Sequence, residues 1–185
     1  MKATETKLQG CFILEPTIFE DSRGYFFESY NENKLENILG YKPTFVQDNQ
    51  SSSSYGVVRG LHMQGGDFAQ AKLVRVIEGR VIDVAIDVRP GSSTFGQHIA
   101  VELSAQNKKQ LFIPRGFLHG FSVISETAVF FYKCDNFYDK SSENGVAPTD
   151  EILDIDWGIP KDKMIISEKD ENASSFDDFS KTLIQ

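Results

Sequence analysis

Three histidines, two cysteines and a single tryptophan are all that 185 residues contain, and nowhere do about 18 uncharged apolar residues run together. Each shortage closes a class of function. Without a long apolar run there is no helical membrane span, and Met1 to Lys7 offers no apolar stretch of the secretory type, so a cytoplasmic protein with no membrane partner is expected. Cys11 and Cys134 stand far apart and fit no metal-binding spacing such as C-x-x-C, which leaves buried free thiols as the plain reading. Basic residues are outnumbered 19 to 27, giving a formal net charge of -8. A general nucleic-acid binder needs a clustered basic face, so no nucleic-acid partner is expected. Total charge does not exclude an anionic small molecule, because a few lysines and arginines around a pocket set the local field.

What is abundant points to sheet. Hydrophobic residues make up 40% of the chain and Phe alone occurs 15 times. That suffices for one sizeable core, and residues 1–185 are read as a single domain. Short Val-, Ile- and Phe-rich runs separated by turn signals favour a mainly β fold. Residues 12 to 30 alternate extended stretches around a turn at Glu20 to Gly24. Asn31 to Gly40 is the one convincing helix, with Asn31 able to cap it, Leu35, Ile38 and Leu39 on one face, and Gly40 able to end it. From about residue 45 to 135 strand follows strand. The clearest is Val81 to Val88, where Ile82, Val84, Ile86 and Val88 share one face and Val81, Asp83, Ala85 and Asp87 the other. Regular turns between such strands suggest an antiparallel sandwich or jelly-roll barrel. Residues 139 to 185 are polar and turn-rich, are expected to wrap the barrel, and contain Leu153 to Trp157 as the only further strand-like run.

Two of the three histidines keep unusual company, in Arg59-Gly60-Leu61-His62-Met63-Gln64 and Pro114-Arg115-Gly116-Phe117-Leu118-His119-Gly120, while His98 stands in a plain strand. A lone histidine is more often a hydrogen-bonded structural group than a catalyst. Lys72 alternates with Val74 and Val76 and so should face inward, where a lysine is rarely just structural. Tyr132 shares a strand face with Phe130 and Ala128, which by itself fits a core tyrosine equally well.

The spacing Pro114-x-Gly116-x-x-His119 resembles the second motif of cupins, and Gly60 to Gly79 lies where their first motif would fall. Metal-binding cupins carry His-x-His there; this chain has His62-Met63-Gln64. Two imidazoles make a poor divalent site, so no metal and no cofactor is expected. The resemblance then narrows. Phe19-x-Asp21-x-Arg23-Gly24-x-Phe26-x-Glu28, Gln47-Asp48-Asn49-x-Ser51, Val58-Arg59-Gly60-Leu61-His62, Gln70-x-Lys72-Leu73-Val74, Pro114 to Phe121 and Tyr132-Lys133 follow one another in order, and Ser167-Glu168-Lys169-Asp170 closes the series. Together they resemble the dTDP-4-dehydrorhamnose 3,5-epimerase family, over nearly the whole chain.

That resemblance implies a cupin-type jelly roll with a few short helices, a dTDP-linked 4-keto-6-deoxy sugar as substrate, and inversion at C3 and C5 by proton removal next to the C4 ketone. Such chemistry needs a base, an acid and an enolate stabiliser. His62 matches the base, Asp170 the carboxylate that orients it, Tyr132 the acid on the other side of the ring, and Lys72 and His119 the groups around the ketone. Arg23, Arg59 and Lys169 match positions that bind pyrophosphate and sugar. Gln47, Asn49, Phe26 and Glu28 match the nucleotide region, where the family uses a dimer neighbour, so a homodimer is implied. Glu143 also matches a binding position, but the run Glu143 to Pro148 departs from the family pattern. A relative inverting a single carbon would keep His62 and Asp170; a binding module without turnover and a metal-dependent cupin enzyme are the other readings. Arg59 and His62, three apart, should face opposite sides of a regular strand unless Gly60 hosts a bulge.

Overall fold

A computed structural model describes residues 1–183. The strands are β1 (Lys2–Glu5), β2 (Phe12–Glu15), β3 (Ile18–Asp21), β4 (Gly24–Phe27), β5 (Gln47–Ser54), β6 (Val57–Gln64), β7 (Lys72–Glu78), β8 (Arg80–Asp87), β9 (His98–Ser104), β10 (Gln110–Ile113), β11 (Phe117–Val123), β12 (Thr127–Cys134), β13 (Glu143–Gly145) and β14 (Ile165–Ile166). Three α-helices join them: α1 (Glu32–Leu39), α2 (Glu168–Glu171) and α3 (Phe176–Thr182).

The consecutive strands β5 to β12 divide between two facing sheets. One runs β1-β2-β10-β7-β12-β5, the other β13-β6-β11-β8-β9, with β14 added beside β6. Taking β5 as first, the first sheet holds strands one, eight, three and six, and the second holds two, seven, four and five. This is the jelly-roll connectivity, so the expected cupin-type barrel is the observed architecture. The N-terminal strands β1 and β2 extend the first sheet beyond the 45–135 segment, with β2 pairing antiparallel to β10. The β3–β4 hairpin stands apart as a two-stranded sheet.

The alternation of β8 shows how the layers are made. Val81 and Ala85 point between the sheets, into a core with Val74, Val76, Leu111, Phe121, Ala128 and Phe130. Val84, Ile86 and Val88 point outward, yet they too are buried, against Val146, Leu153, Trp157, Ile159, Phe176 and Phe179 of the C-terminal segment. A strand covered on both faces must be apolar on both, which its sequence is. Asp83 and Asp87 are the exceptions, and both are fully buried. Helix α1 covers the outer face of the first sheet through Leu35, which meets Leu14, Leu73 and Phe112. Its ends match the sequence: the Asn31 side chain accepts from the Lys34 N–H, and Gly40 closes the helix at φ 76° with its N–H on the Glu36 carbonyl.

Leu153 to Trp157 is a correction. Leu153 ends a turn and residues 154–157 take irregular backbone rather than a strand, with Asp154 at a positive φ of 41°. Its alternating apolar residues serve as pegs: Leu153 and Trp157 are buried in the outer core, and the Trp157 indole N–H donates to the Pro148 carbonyl at 2.8 Å. The strands of the tail are instead β13 and β14, both laid along β6. Among the described residues no helix is long and apolar enough to cross a membrane.

Candidate active site

Strand β6 is where the site is built. Its pairing with β11 is irregular: His62 stands opposite His119 and Arg59 opposite Phe121, so three steps along β6 match two along β11. The extra residue is a bulge next to Gly60, which takes φ 117°. A side chain there would not fit, since a Cβ would lie 2.6 Å from Gly120 Cα and 2.7 Å from the His119 carbonyl oxygen. The bulge puts Arg59 and His62 on the same cavity despite their spacing, as the sequence required of Gly60.

That cavity has a volume of about 540 Å³, and a second of about 280 Å³ adjoins it. His62, Lys72 and Tyr132 line both. Arg59, His119, Lys169 and Asp170 line the larger; Gln47, Asn49, Tyr138 and Glu143 line the smaller. Opposite walls come from opposite sheets, with His62 and His119 on β6 and β11 and Lys72 and Tyr132 on β7 and β12.

The tail completes the wall behind His62. Strand β14 runs parallel to the start of β6, Ser167 caps α2 by accepting from the Asp170 N–H at 3.2 Å, and this short turn aims Asp170 at the imidazole. Asp170 Oδ1 lies 2.6 Å from His62 Nε2, and Oδ2 accepts from the Gly60 N–H at 3.3 Å. A carboxylate only accepts, so in neutral His62 the proton sits on Nε2 and the lone pair is on Nδ1. An imidazole in this state can receive a proton, and the adjacent carboxylate stabilises the cation that results.

Across the cavity, burial pushes the Tyr132 phenol above its ordinary value, so it stays a proton donor. Burial pushes the Lys72 ammonium below its ordinary value, with Cys134, Asp83 and Glu143 opposing; its Nζ stands 6.0 Å from the centre of the Tyr132 ring. Among the described residues neither Lys72 Nζ nor the Tyr132 hydroxyl bonds to the protein, and neither is sealed off. Both heads are available to a ligand.

The remaining expected residues fall into two groups. Glu143 is in the site: burial alone would raise its carboxyl, but Lys169 Nζ at 2.7 Å and the Tyr138 hydroxyl at 3.1 Å donate to Oε2 and hold it below the usual range. Gln47 accepts from the Tyr138 N–H and donates to Asn49. Arg59 donates from Nε to the Ser53 hydroxyl. Arg23, Phe26 and Glu28 are not brought to this cavity by their own chain, so the single-chain positive cluster is Arg59, Lys72 and Lys169 without Arg23. Arg23 is paired with Asp21 at the hairpin tip, Phe26 is exposed beside it, and Glu28 binds Lys34 and Asn31 near α1. Their separation follows from the topology, because β3 and β4 pair only with each other.

One cavity-side group lies outside every sequence motif: Asp83. His119 Nε2 lies 2.9 Å from its Oδ2. The signal was an aspartate on the inward face of the clearest strand, between Val81 and Ala85. Gln64, at the position of a metal cupin's second histidine, is committed elsewhere: its amide donates to the Phe68 and Phe137 carbonyls and accepts from the Asp139 N–H.

A barrel cavity with an aspartate-held imidazole on one wall, and a phenol and an ammonium on the other, defines a class of enzyme that moves protons on carbon acids. The chain belongs to the dTDP-4-dehydrorhamnose 3,5-epimerase family, whose model matches residues 5–178. The dTDP-4-dehydrorhamnose 3,5-epimerase of Escherichia coli K12 is 49% identical over 178 residues, 96% of each chain. Among solved structures, the enzyme of that name from Elizabethkingia anophelis is 61% identical with a TM-score of 0.93, over 96% of this chain and 97% of that one. A dTDP-6-deoxy-D-glucose-3,5-epimerase from Legionella pneumophila, solved in complex with dTDP-4-keto-L-rhamnose, is 43% identical with a TM-score of 0.93, over 98% and 96%. A 3'-monoepimerase from Streptomyces bikiniensis in complex with dTDP-quinovose is 30% identical, with a TM-score of 0.86 over 92% and 85%.

Proposed function

We propose that this chain inverts C3 and C5 of dTDP-4-dehydro-6-deoxyglucose, giving dTDP-4-dehydrorhamnose, without a metal or cofactor. The observation that carries the reading is the placement of His62 with Asp170 on one sheet and Tyr132 on the other around a shared cavity. His62 Nδ1 takes the proton from the carbon next to the ketone, and that C–H pair becomes a carbon–carbon double bond as negative charge develops on the ketone oxygen. Asp170 keeps the ring oriented and stabilises the imidazolium. Lys72 faces the oxygen on which charge develops, where a cation lowers the barrier more than it lowers the ground state. Tyr132 returns a proton to the opposite face, which inverts the centre. Solvent protons then restore Tyr132 while His62 releases its own, and repetition on the other side of the ketone inverts the second carbon.

Arg59 and Lys169 are assigned to the pyrophosphate and sugar, and Gln47, Asn49 and Glu143 to the nucleotide side of the smaller cavity. Arginine's planar fork suits phosphate oxygens, and the local positive cluster stands despite the acidic total. Arg23, Phe26 and Glu28 reach a nucleotide only from a second copy, so the active form is a homodimer. In support, Phe19, Tyr25 and Phe26 of the β3–β4 hairpin are 62%, 59% and 69% exposed in the single chain. A nucleotide-linked substrate and two unpaired thiols fit the cytoplasm.

The test is proton exchange in heavy water, followed by NMR of the sugar. Deuterium at both C3 and C5 supports the reading; label at one carbon alone assigns the chain to the single-inversion relatives. A His62→Ala protein should still bind product and lose exchange, and unchanged exchange would reject this mechanism. Light scattering that found a stable, active monomer would remove the dimer.

A further inference from the structure

Opposite His62 on β11, His119 is held by an aspartate of its own. Its Nε2 lies 2.9 Å from Asp83 Oδ2, and Asp83 is fully buried while His119 is 7% exposed. The other Asp83 oxygen, Oδ1, is the one buried side-chain N or O atom among the described residues with no hydrogen-bond partner. A buried carboxylate with one bare oxygen is a costly state, because an unsatisfied buried charged acceptor loses its full hydration. A proton on the pair makes it neutral overall. The groups facing Asp83 are His119 from β11, Lys72 from β7 and Cys11 from the chain before β2. Burial raises the Asp83 carboxyl above its ordinary range, with His119 and Lys72 opposing.

The exposed side of the pair faces the reaction. His119 lines the larger cavity, and its Nδ1 has no protein partner among the described residues and is not sealed off. If Asp83 were ionised and His119 neutral, the ring proton would sit on Nε2 and Nδ1 would present a lone pair, which a carbonyl oxygen repels. One more proton changes this. Whether it resides on Asp83 or makes His119 an imidazolium, Nδ1 then carries hydrogen.

We propose that Asp83 and His119 share a single extra proton and deliver it through His119 Nδ1 to the substrate carbonyl oxygen, so that His62 generates a neutral enol rather than an enolate. This rests on the epimerase reading of the cavity. The step balances. The C–H proton goes to His62 Nδ1, the C–H pair forms the carbon–carbon double bond, and the carbonyl π pair takes the proton from His119 Nδ1. Asp83 is left ionised beside His119 bearing its proton on Nε2, with Lys72 as the nearby cation. His62 gains one positive charge and the Asp83–His119 pair one negative, so the cavity's net charge is unchanged. Collapse of the enol returns that proton to the pair while Tyr132 protonates carbon. Asp83 is accordingly a positioning residue and proton store, and His119 the group that touches substrate.

Only three histidines occur, so ring-labelled histidine with the heavy nitrogen isotope gives an NMR spectrum that His98→Gln and His62→Asn assign by elimination. In the unaltered protein at neutral pH, with and without dTDP, His119 Nδ1 is expected to carry a proton; a bare Nδ1 with protonated Nε2 would overturn the proposal. Asp83→Asn can hold the ring but cannot release a proton. Its kcat should fall by about 10²-fold, the usual size of a lost acid, with KM within about threefold. An Asp83→Asn enzyme as fast as the original would also overturn it, and should that variant not fold, the nitrogen spectrum decides alone. If the unaltered protein exchanged no protons on the keto sugar, the epimerase reading and the unit's role would both fall, whereas a bare Nδ1 in an exchanging enzyme removes the unit only.

Discussion

Replacing Asp170 by Asn isolates what the carboxylate behind His62 does. In the proposed mechanism the imidazolium forms on His62, whose Nε2 lies 2.6 Å from Asp170 Oδ1. Two unit charges centred about 4 Å apart attract by about 4 kcal/mol at an effective dielectric constant of about 20. The His62 side chain is 32% exposed, so solvent screens part of this attraction. What remains corresponds to a fall in kcat of about 10²-fold, at about 1.4 kcal/mol per factor of ten. A second effect acts in the same direction: an amide can donate to Nε2, which moves the ring proton to Nδ1, where the base needs its lone pair. The Asn side-chain oxygen can still accept from the Gly60 N–H, so the fold should persist. The assay is turnover of the keto sugar together with deuterium wash-in, with thermal unfolding as control. KM should stay within about threefold, because the charge is needed only once the proton moves. A loss of less than about tenfold in kcat, or a loss confined to KM, would refute the argument.

Three further outcomes follow from the packing and the charges. Gly60→Ala must place a Cβ 2.6 Å from Gly120 Cα at φ 117°, so differential scanning calorimetry should show a clear fall in Tm with loss of turnover; a Tm within about 2 °C of the original would contradict the bulge. Trp157→Ala removes a buried indole and its bond to Pro148 and should cost about 3–5 kcal/mol in denaturant unfolding; a cost under about 1 kcal/mol would show that the tail does not seal the barrel. Burial alone would raise the Asp87 carboxyl, but donors on Arg89, Ser92 and Thr94 hold it well below the usual range. A depressed folded value means the stability is present above the unfolded value of about 3.9 and is lost as pH falls below it. Asp87→Asn should therefore flatten the acid side of a Tm-against-pH curve, and an unchanged acid slope would count against the assignment.

Local patterns reached the parts of the fold that local chemistry determines. Asn31 and Gly40 bracket α1 because their side-chain or backbone properties suit those ends wherever the helix sits. Val81 to Val88 declares both its faces in eight letters. What the letters do not contain is pairing over distance. Strands of two or three residues such as β13 and β14 exist only because β6 offers them an edge, and Leu153 to Trp157 alternates like a strand while acting as two anchors. The same holds for the site. His62 and Lys72 were legible from company and alternation, whereas the link from His62 to Asp170, 108 positions on, came only through the family resemblance. Asp83 shares a strand face with Val81 and Ala85 in the sequence, but its partner lies on another strand, and a reading of single strands does not join them. Arg23, Phe26 and Glu28 match the motif in sequence and lie apart from the cavity in the single chain, because β3 and β4 pair only with each other and not with the barrel sheets.

The clasp of the tail across β6 has a consequence for the life of the chain. Asp170 reaches His62 only when the segment carrying Val146, Trp157 and Ile166 has docked, so a barrel with its tail undocked has its cavity wall but no carboxylate behind the imidazole. The wall behind the imidazole is therefore complete only when residues 165–171 lie against β6, and a copy whose tail is undocked is expected to be silent rather than wasteful.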